Sequence, residues 1–122
     1  MQGLSENDRT FIVETVRRVL AAKAPEEVDI YAVTSDDILR HAAGRATPEA
    51  DSDAYFGGLE QTLGEILTHA MALIALEFLR HGWTLSRATL VDYLKARAAT
   101  PHEPPQRAEA EATILDVLAR ED

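Results

Sequence analysis

Between Glu65 and Glu77 lie eleven residues, ILTHAMALIAL, without an acid, a lysine or an arginine, and the apolar character continues through AMALIALEFL to residue 79. A helix that loses its polar face must be covered on every side. The stretch is too short for a bilayer, which needs about 20 apolar residues. The spacing therefore predicts a central helix over about 54–81, amphipathic at first through Phe56, Leu59, Leu63, Ile66 and Leu67, on which the other elements pack. Gly57, Gly58 and Gly64 each cost about 1 kcal/mol in a helix relative to alanine. They either let a neighbouring helix approach closely or delay the helix start until after Gly58.

The flanking segments also read as helices. Ser5 followed by Asp8 is a cap signal, and Ile12, Val16, Val19 and Leu20 recur at helical spacing up to Lys23, before Pro25. PEEVDIYAV, residues 25–33, allows a short helix opened by Pro25 or a strand alternating Val28, Ile30, Ala32. A single strand has nothing to pair with in a monomer, so the helix is preferred. Thr34-Ser35-Asp36-Asp37 is a further cap signal, with Ile38, Leu39 and Ala42 behind it and Gly44 closing that helix. RATPEADSD, residues 45–53, has turn composition. Gly82 ends the central helix and Ser86 caps the next, to about Ala98. Three prolines within 101–105 then make a stiff connector over 101–106. In the last helix, 107–122, Ala108, Ala112, Leu115 and Leu118 share one side, and Ile114 and Val117 widen it. The expected architecture is all-α: a compact bundle of five or six helices, with residues 1–100 as core domain and the C-terminal helix either packed on it or docked on a partner.

Searching the sequence for chemistry yields little. With no cysteine, disulfides, thiolate metal sites and a thiol nucleophile are excluded, and a reducing, cytoplasmic setting fits. Residues 1–11 have no basic stretch leading into an apolar run, as a secretory signal would. Glu65 with His69, and Glu77 with His81, sit one turn apart, but twelve residues rotate the two pairs by about 120°, so they do not converge on one ion. Each is read as a local pair along the helix. Asp36, Asp37, Asp51 and Asp53 fit helix-start positions better than Mg²⁺ or Ca²⁺ ligation. Gly57-Gly58 has no neighbouring lysine for a phosphate loop, and no serine is flanked by glycines. The sequence points to no enzyme, no metal and no cofactor.

Charge is uneven. Of the net −9, residues 1–62 hold −6, while residues 78–100 hold +3 through Arg80, Arg87, Lys95 and Arg97 against Asp92. An acidic chain binds the phosphate backbone poorly, so the basic segment is the one place where nucleic acid could be met. Within it, TLSRATLVDYLKAR resembles the recognition half of a bacterial helix-turn-helix, and IALEFLRHGW would be its supporting helix, together residues 74–97. That resemblance implies Arg87 and Thr89 facing outward near the helix start, Leu85, Leu90 and Leu94 facing inward, and Lys95 and Arg97 reaching phosphates. The sequence departs from the family pattern at Arg80, where a small residue is usual, and at Asp92, which faces phosphates badly.

These features favour a non-enzymatic protein-interaction module, an adaptor, regulatory subunit or oligomerising domain, whose partner is a protein or a second copy of itself. Ile114, Leu115, Val117 and Leu118 are its candidate partner-binding residues, and Arg80, Arg87, Thr89, Lys95 and Arg97 a candidate basic contact face. The alternative is a nucleic-acid-linked regulator, either a DNA reader through 80–97 or an acidic mimic of nucleic acid. A small-molecule site beside Glu65 and His69 is a third reading.

Overall fold

The computed structural model describes residues 5–45, 62–99 and 105–120. Among them are five α-helices and no strand: α1 (Glu6–Lys23), α2 (Val28–Arg45), α3 (Leu63–His81), α4 (Arg87–Ala98) and α5 (Pro105–Arg120), with one 3₁₀ turn, Pro25–Glu27, between α1 and α2. The all-α expectation holds.

α3 is the axis of the bundle. All nine residues from Leu67 to Ala75 are buried, so no side of the helix reaches water there. α1, α2 and α5 supply the cover, and α5 also packs on α4 and α1. Ile12, Val16, Val19 and Leu20 of α1 are fully buried against it, as their spacing predicts. Full burial of each such side chain contributes about 1.5–3 kcal/mol.

Helix ends follow the capping chemistry. The Ser5 hydroxyl accepts from Asp8 N–H at 3.1 Å. Thr62 and Glu65 form a reciprocal capping box at the start of α3, and Ser86 and Thr89 form another at the start of α4. Gly82, at φ 72°, closes α3 in the left-handed region open to glycine. Its N–H donates to Leu79 O at 3.2 Å and Trp83 N–H donates to Phe78 O at 2.8 Å. Trp83 then lays its ring edge-on to Phe78, centroids 5.4 Å apart, the apolar contact that accompanies this type of helix ending.

Four sequence expectations need correction. The central helix starts at Leu63, because Thr62 is extended and caps it; of the expected 54–81 span, residues 54–61 lie outside the described residues, as do Asp51 and Asp53. Residues 25–33 are helical, as preferred over a strand, but they divide between the 3₁₀ turn Pro25–Glu27 and the start of α2 at Val28, and α2 runs straight through Thr34-Ser35-Asp36-Asp37. The inward stripe of Tyr31, Ser35 and Leu39 keeps helical spacing across the supposed boundary, and Thr34 satisfies its hydroxyl on Ile30 O at 2.9 Å. Asp36 and Asp37 are thus mid-helix residues, not helix-start ones. At the other end, α5 begins at Pro105 rather than 107, since proline is tolerated in a first helical turn. The buried face of α5 is Arg107, Ala110, Glu111, Ile114, Val117 and Leu118, while Ala112 is exposed. The inward face is turned by one residue, so that the Arg107–Glu111 ion pair faces the core where Ala108 and Ala112 were expected.

Candidate functional site

Each end of α3 is joined to its neighbours by a polar junction. At the N-terminal end, the Glu27 carboxylate accepts from Gly64 N–H at 3.0 Å and from Leu63 N–H at 3.3 Å. A carboxylate from a separate element thus meets the positive end of the helix. Gly64 is needed at this approach: a Cβ there would stand 3.0 Å from Tyr31 Cδ1 and 3.4 Å from Leu20 Cδ1. One turn on, Thr68 Oγ1 donates to Gly64 O at 2.7 Å and also meets Tyr31 OH at 2.7 Å. Burial pushes the Tyr31 phenol up to about 12, with the Thr68 hydrogen bond opposing.

Charged groups build the C-terminal junction. Arg107 and Glu111, one turn apart on α5, are both buried and paired at 2.8 Å. Glu111 also receives Arg97 Nε from α4 at 2.7 Å. Arg107 reaches toward Glu77 of α3 at 3.8 Å and Tyr93 OH at 3.4 Å. Tyr93 OH donates to Glu77, and the Arg97 guanidinium lies 5.7 Å from the Tyr93 ring centre. Burial first, and then the Glu77 hydrogen bond, push the Tyr93 phenol well above its ordinary value. Two cations and two anions cross-link three helices here, and the two that are buried, Arg107 and Glu111, must be paired.

The residues singled out in the sequence divide between this scaffold and the surface. Arg87 donates from Nη2 to Leu118 O at 2.6 Å, and Arg97 to Glu111, so both basic side chains turn toward α5 rather than outward. Thr89 is held in the cap of α4, its hydroxyl donating to Thr84 O at 2.7 Å. Leu90 and Leu94 are buried and Leu85 is half-buried, facing inward as expected, and Arg80 and Lys95 are exposed. Ile114, Val117 and Leu118 lie in the chain's own core, and Leu115 packs against it half-buried. These four therefore join α5 to the chain's own bundle.

Along α3, Glu65 and Glu77 each bond to a residue other than the histidine one turn on. Glu65 accepts from Thr62 in the cap, while His69 is buried farther along the helix. Glu77 binds Tyr93, while His81 stacks on Trp83 with centroids 4.5 Å apart. No group of three metal-ligating side chains occurs among the described residues, and no helix among them is long and apolar enough to cross a membrane.

Among the described residues, two apolar patches remain outside. Ile30 and Val33, 65% and 84% exposed, stand one turn apart on the outer face of α2; Leu79 and Trp83, 44% and 50% exposed, mark the corner between α3 and α4. Composition missed both. The α2 patch could have been found by extending the Tyr31–Ser35–Leu39 stripe, which places Ile30 and Val33 opposite the core. No family model, curated protein or solved structure matches this chain.

Proposed function

We propose that this chain is a non-enzymatic helical interaction module. The observation that carries the reading is the contrast between buried charges cross-linked by ion pairs and four large apolar side chains left exposed, among the described residues, on capped, well-packed helices. Exposed tryptophan and aliphatic anchors on a rigid frame are what interface hot spots are made of. Trp83 is held by Phe78, His81 and Tyr93, so it loses little freedom on contact. The nucleic-acid alternative draws less support, because Arg87 and Arg97, which a DNA reader would present outward, are bonded to α5.

The test is a pull-down from the native host with mass spectrometry, run in parallel on the wild-type chain and on Val33→Arg and Leu79→Glu. A stoichiometric protein, foreign or the chain itself, that is retained by wild type and lost with one variant supports the module. Equal recovery on all three baits refutes a role for these patches.

A further inference from the structure

We propose that the module's partner includes a second copy of this chain, bound head to tail, with the α2 patch of one copy seating the α3–α4 corner of the next. This rests on the interaction-module reading and adds an occupant to it.

The argument is one of matched chemistry. The exposed charged residues of α2 and its entry turn, Glu26, Asp29, Asp36 and Asp37 with Arg40, sum to −3. Arg40 pairs with Asp37 at 3.3 Å, and Arg9 and Arg17 of α1 share a groove with Asp36 on one side of this face. Leu79 and Trp83 lie beside exposed Arg80 and His81. Arg80 makes no ion pair among the described residues, so its charge is available to a partner. A symmetric contact through α2 would set four acids against four acids. A symmetric contact through the corner would set Arg80 against Arg80. Only the unlike pairing puts apolar on apolar and acid on base.

The two patches cannot satisfy each other within one molecule. Tyr31, between Ile30 and Val33, rests on Thr68, while Trp83 follows the end of α3 at His81, about 20 Å farther along the axis. A contact between unlike faces repeats, generating a ring where the rotation closes and an open row where it does not. With two apolar anchors per side the contact is small, and association in the range of roughly 100 µM is expected.

The chain's single tryptophan sits in the proposed contact and reports on it. The full chain is followed by analytical ultracentrifugation and tryptophan emission from about 10 µM to about 1 mM, which brackets the expected range. Average mass should climb past that of a dimer as the emission shifts to the blue, and added salt at about 0.5 M should weaken both several-fold. Val33→Arg and Leu79→Glu, both on exposed positions, should each remain monomeric. Mixed in equal amounts, they retain one intact patch apiece and should form a one-to-one pair and nothing larger, with about half of the blue shift restored, since only the Val33→Arg chain seats its tryptophan. A wild-type mass that does not change with concentration overturns the proposal, as does failure of the mixture to pair. If wild type stays monomeric while a foreign host protein is captured through the same patches, self-assembly falls and the module reading stands.

Discussion

The two ends of α3 solve one problem with different materials. At its N-terminal end, Glu27, Gly64, Thr68 and Tyr31 join the helices through backbone amides, hydroxyls and one half-buried carboxylate. At its C-terminal end, Arg107, Glu111, Arg97, Glu77 and Tyr93 use side-chain charge. The first junction is short-ranged and tolerates loss of a single bond. In the second, Arg107 and Glu111 are buried at the expense of their hydration and rely on their counter-ions. The difference is one of fragility: a removed hydroxyl leaves a small vacancy, whereas a removed ion leaves an uncompensated charge.

That contrast can be broken most sharply at Arg107. Arg107→Ala takes from the buried Glu111 carboxylate the cation one turn away, and chemical denaturation should show a loss of about 3–5 kcal/mol. Replacing both partners, Arg107→Met with Glu111→Leu, should recover most of that loss; a double variant as unstable as the single one would mean that the pair matters for more than mutual compensation. At the other junction, Gly64→Ala forces Tyr31 or Leu20 to move. The overpacking cost of about 1–3 kcal/mol is offset in part by the roughly 1 kcal/mol that alanine gains over glycine within a helix. A small net destabilisation is expected in thermal melts, and a stabilised variant would show that the ring yields freely.

Tyr31→Phe gives the smallest change at neutral pH, about 1 kcal/mol, because Thr68 keeps its bond to Gly64 O. Its signature is alkaline. The folded chain holds the Tyr31 proton to about 12, against about 10 when unfolded. The unfolded state therefore binds fewer protons through that window, and stability falls as pH rises from 10 toward 12. The phenylalanine variant should lose less stability over the same window, while Tyr93, also raised, continues to contribute to the fall. Parallel pH profiles for wild type and variant would refute the assignment to Tyr31.

Local signals were legible in the sequence. Ser5, Ser86 and Gly82 set helix ends through bonds within a few residues, and the run from Leu67 to Ala75 announced its own burial. What escaped depended on residues far apart in the chain. Glu27 caps α3 from 36 positions away, which no spacing rule contains. Arg107 and Glu111 read as surface charge until Arg97 and Glu77 are seen to meet them. The same absence of long-range information made Ile114, Val117 and Leu118 look like spare surface, and Arg87 and Arg97 like an outward basic face. Thr34-Ser35-Asp36-Asp37 shows the reverse error: a strong local cap signal is overridden because the stripe of Tyr31, Ser35 and Leu39 gains more from an unbroken helix.

The position of α5 bears on the order in which the molecule can be made. The wall that Ile114, Val117 and Leu118 place against α3 is synthesised after every other part of the core. During translation, at roughly 5–20 residues per second, α1 to α4 exist for several seconds with one flank of the most apolar helix open to water. The bundle cannot close by successive addition from its N-terminus. It closes in one late step, when residues near 118 become free to fold back, and until then the nascent chain presents the surface that a chaperone would recognise.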